Sequence, residues 1–264
     1  MKYRKEIDGL RAVAVFPVVL FHGGVSGFAG GYVGVDVFFV ISGYLITSII
    51  LADMKAERFS LVTFYERRAR RILPALFLVI LACFPFATIW LLPNHLKDFL
   101  QSVAAVSVFS SNILFWAESG YFATAAELKP LLHTWSLAVE EQYYLLFPLL
   151  LMVFWKLSRQ RALLLLPFAA RASSAFLQWG AYHAPSATFF LLPARIWEIV
   201  IGAVLGYVSA FRDELPALPE MPGLVRECLG LGGLLLIAYA VFDFDKSTPF
   251  PSVYALLPTV GTAM

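Results

Sequence analysis

Apolar residues in this chain come in long runs rather than in strict alternation. Such runs occupy residues 10–21, 33–51, 72–92, 132–154, 163–180, 189–208 and 229–242, and a last one opens near Val253. Several approach the ~20 residues that span a hydrocarbon core, so the pattern predicts an all-α fold: a polytopic integral membrane helix bundle of about eight apolar segments. In the third run Pro74, Pro85 and Pro93 are expected to mark its start, an interior kink and its exit. Residues 94–116 break the pattern. The stretch is long enough to cross, yet it carries Asn94, His95, Lys97, Asp98, Gln101, Ser102, Ser107, Ser110, Ser111 and Asn112. Each unsatisfied polar group in hydrocarbon costs several kcal/mol, so a re-entrant or interfacial segment is expected over a crossing one. A crossing would also put Lys156, Arg159 and Arg161 outside, against the positive-inside rule.

Composition agrees with the pattern. Hydrophobic residues make up 60%, charged residues 14%, and mean hydropathy is +0.76, outside the range of soluble domains. The net charge of +2 gives no reason to expect nucleic acid as a partner. Its distribution says more. Lys2, Arg4 and Lys5 precede the first run, and Lys55, Arg58, Arg67, Arg68, Arg70 and Arg71 lie between the second and third. Both basic stretches read as cytoplasmic, which leaves the uncharged glycine-rich turn 23–31 outside. Asp8 and Arg11 interrupt the place where a cleaved signal peptide would have its apolar stretch. Cys83 and Cys228 lack metal-ligand spacing and read as buried small hydrophobes.

Ionisable groups inside such runs are costly and therefore informative. Residues 133–144, HTWSLAVEEQYY, open an apolar run with a histidine and two adjacent carboxylates. At helical spacing His133, Ser136, Glu140 and Tyr144 share one face. Arg11 and His22 stand almost three whole turns apart, on one face and roughly 16 Å apart along the axis. A neutral imidazole can accept a hydroxyl proton at neutral pH, and Asp36, in the first turn of the second run, is the nearby acid that could orient His22. The capping and helix-dipole roles open to Asp36 are the structural alternative. Four arginines within residues 67–71 exceed what orientation alone requires, and guanidinium forks suit phosphates. Arg195 and Glu198 form an i,i+3 pair expected to neutralise itself, and Gly202 and Gly206 continue that face in a small-xxx-small pattern. No nucleophile elbow, zinc helix, phosphate loop or dinucleotide fingerprint is present, and no metal is expected.

Taken together these blocks resemble the acyltransferase-3 family, the bacterial membrane acetylases of O-antigen and related envelope glycans. The match runs through Arg11 to His22, Gly34-Val-Asp36 to Ser42-Gly43, Phe64-Tyr65 to Pro74, and Leu132-His133 to Tyr144, with Arg195-Ile-Trp-Glu198 as a weaker fifth. The resemblance implies a fold of about ten transmembrane helices, to which some members add a soluble SGNH hydrolase-like domain. Against it residues 1–264 read as the transmembrane acyltransferase domain, incomplete at its C-terminal end and without that appendage. The resemblance implies an acyltransferase of the bacterial inner membrane, N-terminus cytoplasmic. It would move an acetyl or other short acyl group from acyl-CoA, a co-substrate rather than a bound cofactor, to a sugar hydroxyl of an envelope polysaccharide, a lipopolysaccharide or a lipid-linked sugar. His22, Asp36 and Glu140 would be catalytic. Arg11, Arg68 and Arg71 would hold CoA phosphates, and His133, Ser136, Arg195 and Glu198 would bind the acceptor. A transporter of glycolipids or small acids, and an inactive truncated relative, are the competing expectations.

Overall fold

The computed structural model describes residues 4–119, 128–157, 159–214, 221–245 and 247–264. Among them all regular structure is helical: α1 Lys5–His22, α2 Gly34–Lys55, α3 Leu61–Trp90, α4 Pro93–Ser107, α5 Ser111–Ala117, α6 Trp135–Leu157, α7 Arg159–His183, α8 Pro185–Phe190, α9 Leu192–Ala210, α10 Gly223–Asp243 and α11 Leu256–Ala263. Among the described residues five stretches are long and apolar enough to cross a membrane: Gly31–Lys55, Leu61–Trp90, Leu132–Val153, Pro185–Ala210 and Gly223–Asp243. The chain is inside out relative to a water-soluble protein. Leu78, Ile89 and Trp90 on α3 and Leu231 and Leu235 on α10 face outward, whereas Asp36, Asn112, Arg195 and Glu198 are buried. Lipid is the solvent that makes this arrangement stable.

Helix α3 begins at Leu61, not near Ile72 as the apolar pattern alone implies. Ser60 caps it by accepting from the Thr63 N–H at 3.4 Å, Glu66 bridges Arg70 at 2.7 Å one turn on, and Pro74 and Pro85 both fall inside the helix. Thirty residues span roughly 45 Å, longer than the hydrocarbon core, so the arginine-bearing first turns can extend beyond it. Cys228 is exposed on α10 and Cys83 half-buried, so neither is the fully buried apolar filler expected. The side chains of Lys156, Arg159 and Arg161 lie outside the described residues.

The chain divides into two compact units. The first comprises Met1–Lys55, Leu151–Phe189 and Pro193–Met264. Its helices approach to backbone distance at glycines. A Cβ on Gly31 or Gly34 would lie 2.2 Å from the carbonyl oxygens of Pro17 and Ala14, respectively. Advancing along α2 retreats along α1, so the two are antiparallel. They are joined by a turn in which Gly24 and Gly27 take φ of +69° and +87°, a region that side chains disfavour. Between α2 and α9, a Cβ on Gly43 would meet Ile199 O at 1.8 Å, one on Gly202 would meet Val40 O at 1.9 Å, and one on Gly206 would meet Tyr44 O at 2.8 Å. Here the residue numbers rise together, from Val40 and Gly202 to Lys55, which hydrogen-bonds the Ala210 carbonyl. Helices α2 and α9 are therefore parallel, packed through the small-xxx-small face. Helix α11 joins α10 at Gly261 and Gly233.

The second unit comprises Ala56–Leu150 and Phe190–Leu192. Tyr65 near the start of α3 donates to Leu145 O on α6 at 2.8 Å, while Leu76, Ile80 and Ala87 further along α3 share a core with Leu131 just before α6. The pair is antiparallel. Between them α4 and α5 meet at a sharp break. Phe109 takes φ of +53°, Ser110 N bonds Ala105 O at 2.8 Å, and Phe109 N bonds Val106 O at 3.1 Å. This is a Schellman ending with phenylalanine where glycine is usual. An amide pair, Asn112 buried and Gln142 half-buried, fastens the break to α6. Gln142 Nε2 donates to Asn112 Oδ1 at 2.7 Å and to Phe109 O at 3.0 Å, and Asn112 Nδ2 donates to Gln142 Oε1 at 3.3 Å.

Candidate functional site

In the second unit the residues with chemistry gather on α3 and α6. Phe64 is buried, and one turn later helical spacing turns Arg68 to the same inner face. Arg68 is half-buried while Arg67, Arg70 and Arg71 are exposed. Its guanidinium lies 5.4 Å from the ring centre of Tyr144 and 5.8 Å from that of Phe64. Glu140 and Glu141 both lie within its electrostatic reach. Tyr144 donates to Glu140 Oε2 at 2.9 Å, which fixes that carboxylate one turn away, and Glu141 Oε1 is buried without a hydrogen-bond donor. The cluster thus joins a cation, two carboxylates and a phenol between α3 and α6.

Helix α6 starts at Trp135, and His133 sits in the short 3-10 turn Leu132–Thr134 ahead of it. The continuous face expected for His133, Ser136, Glu140 and Tyr144 is accordingly broken at its first member. His133 is exposed, and Ser136 Oγ bonds the His133 carbonyl at 3.4 Å. Arg68, read on sequence grounds as a donor-side phosphate ligand, and Glu140, read as catalytic, belong to one cluster. Glu141, the second of the two adjacent carboxylates, has no role assigned on sequence grounds, and its burial beside Arg68 brings it into the cluster.

In the first unit Arg195, fully buried, is the centre of a second cluster. Its Nη1 bonds Asp36 Oδ1 at 2.9 Å and Glu198 Oε1 at 3.0 Å, and its Nε bonds Phe189 O at 3.2 Å. Phe189 and Phe250 face the guanidinium, each ring centre 5.5 Å away. Asp36 Oδ2 and Glu198 Oε2 are buried without a donor. The i,i+3 neutralisation of Arg195 by Glu198 is present, but Asp36 completes it from α2. The structure gives Asp36 to Arg195 rather than to His22. Arg195 and Glu198, with exposures of 1% and 0%, are enclosed rather than open to a sugar. His22 is exposed at the last turn of α1, its ring edge-on to Phe21 at 5.1 Å. Arg11 pairs with Asp8 at 3.1 Å. Among the described residues no group of His, Cys, Asp and Glu could hold a metal ion.

The family model described as an acyltransferase domain matches residues 4–264. The chain belongs to this acyltransferase-3 family. Peptidoglycan O-acetyltransferase OatA of Listeria monocytogenes is 34% identical over 255 residues, covering 94% of this chain and 41% of the relative. O-acetyltransferase OatA of Staphylococcus aureus is 30% identical over 211 residues, covering 78% of this chain and 35% of the relative. A Haemophilus influenzae protein named only as uncharacterized is 33% identical over 239 residues, covering 87% of this chain and 95% of its own length. This acyltransferase-family chain therefore spans less than half of the two named O-acetyltransferases and nearly all of the third relative. No solved structure matches it.

Proposed function

We propose that this chain is the membrane-embedded unit of an O-acyltransferase that moves a short acyl group from acyl-CoA to a hydroxyl of a cell-envelope glycan. The observation that carries the reading is the Arg68, Tyr144, Glu140 and Glu141 cluster, charged chemistry held among lipid-facing helices in a family of acyltransferases. Peptidoglycan, named for the Listeria relative, is one acceptor of the proposed class, and an O-antigen type of polysaccharide is another. In the reaction the thioester C–S bond breaks and an ester C–O bond forms. The acceptor hydroxyl proton passes to His22 as general base, and the thiolate leaves and takes up a proton as free CoA. Arg68, with Arg71 one turn beyond, binds donor phosphate in the second unit, and Arg11, in the second turn of α1, is the first unit's own candidate for a donor phosphate. Glu140, oriented by Tyr144, handles protons beside Arg68, and His133 and Ser136 meet the acceptor at the start of α6. The enclosed Asp36, Arg195 and Glu198 support the site by holding α2 against α9.

The basic residues Arg4, Lys5, Lys55, Arg58 and Arg67 to Arg71 fall at the start of α1, the end of α2 and the start of α3. This supports a cytoplasmic N-terminus in the bacterial inner membrane, with His22 toward the outer side. The test follows labelled acetyl-CoA into membrane glycans in cells expressing the chain, its His22→Ala and Arg68→Ala variants, and a longer relative. Label in ester linkage is expected with the active chain, lost with His22→Ala, and dependent on higher donor concentration with Arg68→Ala. Lysine at 68 should restore donor use only in part, because a point charge lacks the bidentate fork. Glycan acetylation by a well-expressed His22→Ala variant at the unmodified level would remove the general base. Label with the longer relative but never with this chain would refute transfer by this chain alone.

A further inference from the structure

One cavity in the first unit has no part in the reading above. It measures about 400 Å³ and lies among the start of α1, the second half of α2 and the end of α9, lined by Arg4, Tyr44, Ser48, Lys55 and Ser209 with the small Ala52 and Ala210. We propose that this cavity binds a phosphate group, either the headgroup phosphate of a membrane lipid or that of a soluble phosphate ester.

Two cations fifty-one positions apart in sequence are brought to one concavity, and among the described lining residues none is acidic. Arg4 Nη1 donates to the Tyr44 hydroxyl at 2.6 Å. A phenol is a neutral partner, so this bond orients the guanidinium without cancelling its charge, and most of its five donors stay available. Lys55 bonds the Ala210 carbonyl and approaches Glu214 at 3.4 Å, from outside the lining. Among the described residues Glu214 pairs with Lys55 and no carboxylate lines the cavity, so the lining itself carries positive charge. Ser48 Oγ is itself enclosed and without a partner, at the wall of the cavity. A cation fork, an ammonium and hydroxyl donors around a concavity without acidic lining select a multi-oxygen anion. The volume exceeds that of a bare phosphate and leaves room for the group esterified to it, within the usual range of ligand pockets. The position, where three helix ends meet, is where headgroups of a bilayer lie.

The full chain is reconstituted in phosphatidylcholine nanodiscs and tested with two probes: phosphatidylglycerol incorporated in the disc, and adenosine 3′,5′-bisphosphate in solution. Lipid retention is read by native mass spectrometry and soluble binding by the shift in unfolding temperature. At least one probe should bind, and Arg4→Gln with Lys55→Gln should weaken it about ten-fold or more, since charge-assisted hydrogen bonds are lost. Binding of the lipid alone identifies the headgroup as the source, and binding of the bisphosphate identifies a soluble ester. Binding of neither probe to the unmodified chain overturns the proposal, as does undiminished affinity in a double variant that elutes and unfolds normally in phosphatidylcholine alone. If the double variant does not fold, Arg4→Gln alone, which lies just ahead of α1, decides by the same criterion.

Discussion

Arg195 makes no sense as a surface charge. Among the described residues it is the largest fully buried side chain, and its stability depends on anions that are as deeply enclosed as it is. Replacing it with methionine strands Asp36 and Glu198 as like charges in a closed site, so a loss of about 3–5 kcal/mol is expected. Thermal unfolding in detergent measures this. Adding Asp36→Asn and Glu198→Gln to the same variant should recover most of the loss, because the remaining side chains are then neutral. The sequence reveals half of this cluster. Arg195 and Glu198 are one helical turn apart and pair by local spacing alone, whereas Asp36 is 159 positions away and periodicity says nothing of which distant helix supplies a third member. The same limit hid the meeting of Arg68 with Glu140, while Tyr144 on Glu140, a local i,i+4 bond, was readable in advance.

Among the elements, α4 and α5 carry the sharpest topological consequence. Fifteen and seven residues are each too short to cross as helices, and the amide pair of Asn112 and Gln142 satisfies the irregular backbone between them. Irregular structure at membrane depth is tolerated where protein covers it in this way. Single cysteines at Lys97 and Ser119 are therefore expected to react with an impermeant thiol reagent from the same side of the membrane, in a background lacking Cys83 and Cys228. Reaction from opposite sides would mean that the segment crosses. The polarity of residues 94–116 announced an interruption of the spanning pattern, which the structure shows as two short helices, and Gly202 and Gly206 announced a tight helix contact. The left-handed break at Phe109 was not legible, since a bulky side chain is the least expected occupant of that conformation.

For the molecule as a whole, the prediction concerns sidedness. Cysteines placed at Lys5 and Arg58 should be labelled only from the cytoplasmic side, and one at Ser26 only from the outside, because charge gathers at one set of helix ends and is absent from turn 23–31. Labelling of Arg58→Cys from outside would reverse the assignment of donor and acceptor faces together. The hydrophobic pattern fixed the class of this molecule because lipid imposes it on every exposed position, but it left the pairing of helices open, since one greasy surface accepts another equally well. Glycine decides the pairing instead. With the backbones of α2 and α9 in contact at Gly43 and Gly202, no side-chain layer remains to compress or slide. The two helices are expected to move as a rigid body, a keel for the first unit. Any rearrangement during turnover then falls to helices whose contacts are made through deformable side chains.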